Sequence, residues 1–511
     1  MTSTPNQSFR ISCVSDQLLL VEELLRAQGF IFEPDPFYSF ARRLLYAPLP
    51  LGLSIASFFG YIYIQDRSSM LPPLALSPKK GDCVLDLCAS PGGKSGMLSL
   101  MCGAEGFTLA NEPSPKRLVV LRSNMQNQNL LACITASCPG ENFPLPRPFE
   151  QAKRGVIKDR LPNYDEVEAA SRKTLWDAIL LDPPCSGWGT AEKNPRVLDL
   201  WQGDKIKALT TLQKKLLGRA ARLLKPGGRL VYSTCTSNNA ENEEQIHYAC
   251  EELGLEFLPL PFFPQAFALD AAQLPQYTGV WRVRANAGAK NAGGAGDGSD
   301  LGGQGFFVAL LRKPASGTCL DESGDRVQRP HTGVWPKKAR PAEDLPYKRA
   351  GKGRRGPGKV GEADFFVTRM TRSALAGPYL DPDLLPEGGV VALNSRLYFI
   401  PGRAMPYLGM LADGMVKGRG FLLGRLGGGG DLHTNPWLRA LMPDCPSLAA
   451  SAIPTLDLDE SGPIVDLLAG RNLDVETKAK EIGLYFRGLP LCRLAVKGHR
   501  AMLPPPWRQG S

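Results

Sequence analysis

The chain is poor in histidine and in long apolar runs. Its 511 residues include only four histidines, and its twelve cysteines form no Cys-x-x-Cys pair and no His/Cys cluster. A structural zinc site is therefore not expected, and neither is a disulfide framework in so large a chain without secretory features. No run of 18 apolar residues occurs, so no transmembrane helix is expected. The first residues, MTSTPNQSFRISCVSDQ, lack the apolar core of a signal peptide, and we expect a cytoplasmic protein without membrane contact.

The charge of the chain is unbalanced towards the basic side. Its formal net charge is +10 at pH 7. An excess of Lys and Arg favours a polyanionic partner, because these side chains neutralise phosphates and release counterions. A basic surface without any nucleic-acid partner is the plainer interpretation.

The N-terminal region is predicted to be a small helical unit, residues 1–76. Residues 14–29 read as a helix that Asp16 caps and Gly29 ends, because their apolar residues recur at helical spacing. The stretch FYSFARRLLYAP is expected to add a second helical element.

The region 77–313 shows apolar strands that alternate with helical segments. Strand-like stretches such as CVLDLCA, GFTLANE, WDAILLD and RLVYSTC are each followed by a helix. This alternation predicts an α/β domain with a mainly parallel sheet. Ligands of such sheets bind beyond the carboxyl ends of the strands.

The remainder divides into three parts by composition. Residues 285–305 form a glycine-rich insertion between two final strands, and residues 314–361 a basic Pro/Gly-rich linker. Residues 362–511 contain short strand-like runs and are predicted to be a small mixed α/β domain.

A glycine turn follows the first strand of the α/β region, in LDLCASPGGKSG. Gly92 and Gly93 lack a Cβ and let the backbone approach a ligand closely, while the following helix presents free N–H groups. The turn is neither a P-loop nor a GxGxxG turn. Glu112 follows the second strand, where an acid binds ribose hydroxyls in nucleotide-like sites. Together these features predict S-adenosylmethionine or a dinucleotide, and the PGGK form favours the former.

Two further strands each end at a single cysteine, in LLDPPCSGWG and VYSTCTSNNAENEE. Cys185 and Cys235 therefore stand at the edge of the sheet where ligands bind, and two thiols facing one pocket are expected. For a single strand-end cysteine, the plainer interpretation is a small buried residue.

These motifs, in this order, resemble those of the RNA cytosine-5 methyltransferases, a family that includes the Nol/Nop/Sun proteins and the bacterial RsmB and RsmF ribosomal RNA enzymes. DLCASPGGKS, NE…KR, LLDPPCSGWG and VYSTCTSNNAENE carry the resemblance, and YIYIQDRSSMLPPLAL resembles the segment before their catalytic domain. The fold implied is a Rossmann-like class I methyltransferase domain. RGLPLCRLAVKG resembles the end of the PUA-like RNA-binding domain of the RsmF subgroup.

The resemblance also implies residue roles. Cys235 is similar to the nucleophile, Cys185 to the residue that assists breakdown of the covalent adduct, and Asp182 to the acid that binds the cytosine edge. Lys94 is similar to a lysine beside substrate and cofactor. The residues implied to bind S-adenosylmethionine are Cys88, Ala89, Ser90, Pro91, Gly92, Gly93, Lys94, Glu112, Arg117 and Asp182. No metal ligand is implied.

One departure from the family pattern lies after the third strand. The family has an acid near the adenine there, whereas ITASCPGENF places Ser137, Cys138 and Pro139 at this point, with Glu141 further on. We expect a monomeric enzyme that acts on RNA, with 16S ribosomal RNA or the small ribosomal subunit as the favoured partner. A transfer RNA methyltransferase and a non-catalytic ribosome-assembly factor remain as alternatives, and a dehydrogenase is disfavoured because the turn is not GxGxxG.

Overall fold

A computed structural model of the chain forms the basis of the description. The residues described are 7–146, 175–191, 194–200, 204–260, 267, 269–270, 272–284, 304–315, 319–320, 326–327, 368–370, 375, 377–393, 395–407, 416–427 and 432–505. Nearly all of the predicted glycine-rich insertion and most of the predicted basic linker lie outside the described residues.

The N-terminal unit is built on a sheet, so the prediction of a helical unit is wrong. Its four antiparallel strands are arranged in the order β2-β3-β1-β4. The strands are β1 Ser8–Ile11, β2 Ile31–Pro34, β3 Ala41–Tyr46 and β4 Ile62–Ile64, and the helices are α1 Leu18–Ala27, α2 Ile55–Phe58 and α3 Leu71–Leu76. The predicted first helix exists as α1, although Gln17 rather than Asp16 is its N-cap residue.

The stretch predicted as a second helix is β3. Arg42 on this strand is almost fully buried, and its guanidinium pairs with the carboxylate of Glu22 on α1 at 2.6 Å. Pairing with β1 and β2 on its two sides satisfies the β3 backbone. These tertiary contacts override a local pattern that suits a helix equally well.

The central sheet confirms the predicted α/β fold. Strands β9, β8, β5, β6 and β7 are parallel neighbours, and β13 pairs antiparallel with β9. Its strands are β5 Cys83–Asp86, β6 Phe107–Asn111, β7 Cys133–Ala136, β8 Trp176–Leu181, β9 Leu224–Thr234, β10 Glu256–Leu258, β11 Leu269–Asp270, β12 Trp281–Val283 and β13 Phe306–Arg312. Its helices are α4 Gly93–Cys102, α5 Pro115–Asn127, α6 Val197–Leu200, α7 Asp204–Leu223 and α8 Glu243–Glu251. The order is that of a Rossmann-like methyltransferase sheet.

Helices cover both faces of this sheet because its strands are apolar on both sides. On β5, Leu85 packs with the α7–α8 layer, whereas Val84 packs with α3 and α4. This alternation along the strand follows from the two-residue period of a β-strand. The layers leave the carboxyl ends of the parallel strands free to build a site.

The C-terminal region contains two five-stranded sheets. The first has the order β16-β17-β18-β19-β20 and the second β21-β23-β24-β25-β22. In the sequence, the short strands β14 Cys319–Leu320 and β15 Arg326–Val327 come between the central sheet and these two sheets. The strands of the two sheets are β16 Thr368–Met370, β17 Gly388–Leu393, β18 Arg396–Pro401, β19 Phe421–Leu426, β20 Leu432–Thr434, β21 Thr455–Leu458, β22 Leu473–Asp474, β23 Glu481–Phe486, β24 Leu489–Lys497 and β25 Arg500–Met502, with helices α9 Cys445–Ala450 and α10 Gly462–Leu468.

The two C-terminal sheets pack against different parts of the chain. The first joins the core of the central sheet, where the Tyr407 and Trp176 rings lie 4.8 Å apart. The second shares a core with the N-terminal unit. Arg439 lies between the three regions, since it stacks 4.2 Å from the Tyr61 ring and donates hydrogen bonds to three backbone carbonyls.

Candidate active site

The carboxyl ends of four neighbouring parallel strands define the site. These strands, β5, β6, β8 and β9, are followed by the glycine turn, Glu112, Asp182 and Cys235 respectively. Parallel strands bring their carboxyl ends to one edge, so residues far apart in the sequence, from 88 to 235, become neighbours. The structure therefore brings the residues predicted for the site to one edge of the sheet.

The two predicted cysteines face each other. The Sγ atoms of Cys185 and Cys235 lie 3.2 Å apart, and both side chains are half-buried. Both are free thiols. The contact is a hydrogen bond between two thiol groups.

The two thiols are not equivalent. The hydrogen bond with Cys185 lowers the pKa of Cys235 below its ordinary value. Burial and the Asp182 charge oppose this shift, and the Lys94 charge supports it. The same hydrogen bond, together with burial, raises the pKa of Cys185 well above its ordinary value. The geometry allows either sulfur to be the donor. The opposite pKa shifts favour Cys235 as the thiol that ionises first and Cys185 as the hydrogen-bond donor. A thiolate is the nucleophilic form of cysteine.

Asp182 and Lys94 form an ion pair beside the thiols. The Lys94 Nζ atom lies 2.6 Å from Asp182 Oδ2, and Ser233 Oγ donates to Asp182 Oδ1 at 3.1 Å. Burial alone would lower the pKa of Lys94, but the Asp182 carboxylate raises it above its ordinary value. The Lys94 ammonium also lies 5.2 Å from the centre of the Phe306 ring. The pair offers a donor and an acceptor side by side.

A buried carboxylate joins the two cysteine loops. Glu241 is fully buried and accepts hydrogen bonds from the Ser186 backbone N–H at 3.0 Å and the Ser186 hydroxyl at 2.5 Å. It also accepts from Gln213 Nε2 on α7 at 3.0 Å. The Ser186 hydroxyl lies 2.7 Å from that of Thr236. Because Ser186 follows Cys185 and Thr236 follows Cys235, this network fixes the two loops that carry the thiols.

The glycine turn packs closely against side chains of the protein itself. Residues 87–92 connect β5 to α4, and Gly92 has φ = +108°, a value that residues with a side chain rarely adopt. A Cβ at Gly92 would stand 2.6 Å from Met125 Cε, and one at Gly93 3.0 Å from Tyr63 Cε1. The turn therefore requires glycine for both conformation and space.

Below the turn lies a buried carboxylate with an unused oxygen. Ser95 Oγ donates to Asp86 Oδ2 at 2.6 Å, whereas Oδ1 has no hydrogen-bond partner in the described part of the chain. Burial raises the pKa of Asp86 to about 7. An acceptor left unsatisfied at the end of β5 fits a ligand that brings a donor or a positive charge to this edge.

Glu112 and Arg117 are tied to the same turn. Glu112 is buried, accepts from the Ser114 backbone N–H at 2.8 Å and pairs with Arg117 at 3.4 Å. Arg117 in turn donates to the Ser90 carbonyl at 2.9 Å, and the Ser90 hydroxyl donates to the Arg117 carbonyl. The acid after β6 and the glycine turn after β5 thus form one connected wall.

The loop after β7 supplies no acid to this wall. The Ser137 backbone N–H donates to Val416 in the C-terminal region, and Cys138 is held by the side chain of Asn111. Glu141 lies in the lining of a separate groove formed by α7 and α8. The departure from the family pattern at this point is therefore also present in the fold.

Sequence reasoning missed Glu241, Ser186, Ser233 and Asp86 as site residues. Glu241 belongs to the motif VYSTCTSNNAENEE, but only the fold shows that its carboxylate connects both cysteine loops. Within the described residues, no group of three or more His, Cys, Asp and Glu side chains could hold a metal ion. In the same residues, no helix combines the length and the apolar character that crossing a membrane needs.

Comparisons with known proteins agree with this geometry. Residues 73–144 and 150–265 match the family described as 16S rRNA methyltransferase RsmB/F. Ribosomal RNA small subunit methyltransferase F of Salmonella heidelberg is 34% identical over 285 residues, which are 55% of this chain and 50% of that protein. The protein of the same name from Shewanella oneidensis is 30% identical over 341 residues, 65% of this chain and 63% of the relative.

A solved structure of a methyltransferase homolog protein from Pyrococcus horikoshii is 28% identical, with a TM-score of 0.45, and the match covers 61% of this chain and 87% of that one. The chain spans about half the length of the Salmonella relative it matches. The family match covers the glycine turn, Glu112, Asp182 and both cysteines. Over residues 73–144 and 150–265, the chain is similar to the RsmB/F methyltransferase family.

Proposed function

We propose that the protein is an S-adenosylmethionine-dependent methyltransferase that modifies carbon 5 of a cytosine in 16S ribosomal RNA. The observation that carries the proposal is the contact between Cys185 and Cys235, at 3.2 Å, beside the Asp182–Lys94 ion pair. Two thiols with opposite pKa shifts suit a reaction that needs one nucleophile and one proton-bearing partner.

The residues present fit S-adenosylmethionine. The glycine turn places its backbone at the carboxyl end of β5, and Asp86 Oδ1 is an unused acceptor at that end in the described part of the chain. Residues 88–94 would hold the methionine part and Glu112 the ribose hydroxyls, with Arg117 bracing Glu112 and Asp182 near the sulfonium. When bound, the cofactor supplies an electrophilic methyl group.

Cys235 is the nucleophile in this proposal. Carbon 5 of cytosine reacts poorly with a methyl sulfonium until electron density is added to the ring. Addition of the Cys235 thiolate to carbon 6 forms an S–C6 bond and moves the electron pair of the C5–C6 double bond towards carbon 5, which then takes the methyl group. The methyl donor would be left as a neutral thioether. Transfer of the carbon-5 proton to a base then lets the C5–H electron pair re-form the C5–C6 double bond, and the Cys235 sulfur leaves carbon 6 as a thiolate.

Cys185 acts in the second half of the reaction. Its Sγ atom lies 3.2 Å from the sulfur that must leave carbon 6. A protonated Cys185 donates a hydrogen bond to the Cys235 thiolate as that thiolate forms again, which stabilises the leaving group. This is the physical basis for a role in adduct breakdown and RNA release.

Asp182 and Lys94 recognise the base. The Watson–Crick edge of cytosine carries an amino donor next to a ring-nitrogen acceptor. The Asp182 carboxylate accepts from the amino group, and the Lys94 ammonium donates to the ring nitrogen. A cation at that nitrogen withdraws electrons and makes carbon 6 more open to thiolate addition. A target in a stem must first be unstacked.

The test uses unmodified 16S ribosomal RNA, a transfer RNA pool and labelled S-adenosylmethionine, with nucleoside analysis of the product. The proposal predicts labelled 5-methylcytidine in 16S RNA. Label confined to transfer RNA would show that transfer RNA is the substrate, with the proposed chemistry unchanged. Label at any other atom would overturn the chemistry. No label in RNA or in assembled small subunits would favour a non-catalytic assembly factor.

A further inference from the structure

A second concave surface lies away from the thiols, between α7 and α8. It is a groove of about 620 Å³. Its lining consists of Glu141, Asn142, Lys214, Lys215, Gly218, Arg219, Arg222 and Tyr248. We call this surface the α7–α8 groove.

The charge of the groove is strongly positive. Helix α7 carries six Lys or Arg residues and a single acid, Asp204 at its first position. Four of the cations line the groove, and none of these four forms an ion pair within the described residues. Burial lowers the pKa of Arg219, and repulsion from the charge of the neighbouring Arg222 lowers it further.

Carboxylates near the groove do not balance these cations. Glu141 lines the groove. Burial raises the pKa of the Tyr248 phenol, and the nearby Glu252 charge raises it further. Four cations thus face two acids. Crowded cations without enough counter-charges raise the local potential and attract a polyanion.

An aromatic ring is part of the same surface. The Lys214 ammonium lies 5.0 Å from the centre of the half-buried Tyr248 ring. Cations that follow a backbone, together with an aromatic platform for a base, are the combination that binds single-stranded nucleic acid. Gly218 has no side chain to fill the groove, and a Cβ there would meet only Leu253, at 3.9 Å.

The groove is joined to the thiol site through α7. Gln213, the residue before Lys214, donates to the Pro184 carbonyl and to Glu241, each at 3.0 Å. The exposed Lys205 and Lys207 extend the positive charge towards the start of α7, which follows the β8 loop that carries Cys185. Helix α7 therefore connects the groove to the loops that carry the thiols.

We propose that the α7–α8 groove binds the phosphodiester backbone of the RNA segment that flanks the target cytosine, with one base stacked on Tyr248. The inference rests on the proposed function for the identity of its ligand. Lys214 and Lys215 contact phosphates, and such contacts set the position of the RNA without reading its sequence.

The experiment compares two double charge reversals. Lys214→Glu/Lys215→Glu alters the groove, and Lys79→Glu/Lys80→Glu makes the same change in charge at two exposed lysines before β5 that do not line the groove. Binding is measured with a cytosine-free single-stranded RNA, which cannot be methylated, between about 50 and 200 mM salt. Thermal unfolding midpoints check that both variants fold.

The groove pair is expected to raise Kd about tenfold and to reduce the salt slope by about 1.4, which is about 0.7 for each lost phosphate contact. Its KM for 16S RNA rises while kcat at saturating RNA stays the same. Equal changes in Kd and salt slope for the two double variants, or no change for the groove variant, would overturn the proposal.

Tyr248 provides a second test that does not depend on charge. Tyr248→Phe keeps a stacking ring, whereas Tyr248→Leu keeps only apolar bulk. We expect Phe to bind RNA like the wild type and Leu to bind more weakly by about tenfold, since base stacking on an aromatic ring contributes about 1–3 kcal/mol. Equal affinities for Phe and Leu would overturn the stacking role. If the wild-type protein binds RNA through the groove but does not methylate it, the groove proposal stands and the proposed function is overturned.

Discussion

The hydroxyl of Ser186 and the carboxylate of Glu241 lie 2.5 Å apart, 55 positions apart in sequence. This contact links the loop of Cys185 to the segment that follows Cys235. The separation of the two sulfurs, and with it the pKa difference between them, depends on this buried hydrogen-bond network.

Replacement of Glu241 by glutamine tests that dependence. The Ser186 N–H and Gln213 Nε2 both donate to Oε1 of Glu241, whereas the Ser186 hydroxyl and Asn238 Nδ2 donate to Oε2. The amide nitrogen of Glu241→Gln would therefore face at least one nitrogen donor in either orientation. A displacement of the loops by about 1 Å is enough to reduce kcat about 100-fold. Single-turnover methyl transfer should fall by that order, with cofactor affinity unchanged.

Glu244→Gln is the matched control for this change. Glu244 is exposed and accepts a hydrogen bond only from Asn239, at 3.1 Å, within the described residues. Wild-type rates are expected for Glu244→Gln. Equal rates for the two glutamine variants would show that Glu241 does not position the thiols.

Gly92→Ala is expected to weaken both the fold and cofactor binding. The added Cβ would meet Met125 and Leu121 within 3 Å at a backbone conformation that favours glycine. A loss of about 1–3 kcal/mol in unfolding free energy follows from strain alone. Gly81→Ala separates strain from clash, because Gly81 has φ = +86° and open space around its Cβ. Calorimetric titration with S-adenosylmethionine should show a large affinity loss for Gly92→Ala only; equal affinities would contradict the assigned turn.

The pH dependence of thiol reactivity tests the asymmetry of the pair. Because Cys235 has a lowered pKa, its alkylation rate should rise with pH and reach half of its maximum below the ordinary thiol pKa of about 8.5. Cys185→Ser keeps a hydrogen-bond donor, whereas Cys185→Ala removes it. The midpoint should stay low in the first variant and move upward in the second, as followed by mass spectrometry of the Cys235 peptide. An unchanged midpoint in Cys185→Ala would show that the donor does not lower the pKa.

Asp86 makes stability depend on pH. Its pKa is raised to about 7 by burial, so its stabilising effect is complete below the pKa of the unfolded chain and is lost as pH rises through about 7. The largest loss is about 4 kcal/mol, since one pKa unit corresponds to about 1.4 kcal/mol. Asp86→Asn should flatten the unfolding free energy between about pH 4 and pH 8. The same slope in wild type and variant would contradict a buried, neutral Asp86.

The central sheet and the thiol pair could be predicted because local signals agree there. Apolar strands, the glycine turn and strand-end cysteines all point to one edge of a parallel sheet. The N-terminal sheet could not be predicted in this way, because β3 owes its form to β1, β2 and the Arg42–Glu22 pair.

Contacts between distant segments account for the other differences. Arg439 reaches the carbonyls of Gly60, Asn127 and Gln128, more than 300 positions earlier. Nothing near Arg439 in the sequence indicates these partners. Likewise, the sequence indicates only that Glu241 is an acid before a helix, and its contact with Ser186 is visible only in the fold.

The most direct test of the account is the identity of the cysteine that bonds to RNA. Cys185→Ala protein, incubated with S-adenosylmethionine and 16S RNA, should accumulate a denaturant-resistant RNA–protein adduct. Nuclease and protease digestion followed by mass spectrometry should place a methylated cytidine on Cys235. The adduct should be absent from Cys235→Ala and from the double variant. A nucleotide attached to Cys185 in the Cys235→Ala protein, with methyl transfer at the wild-type rate, would contradict the central claim.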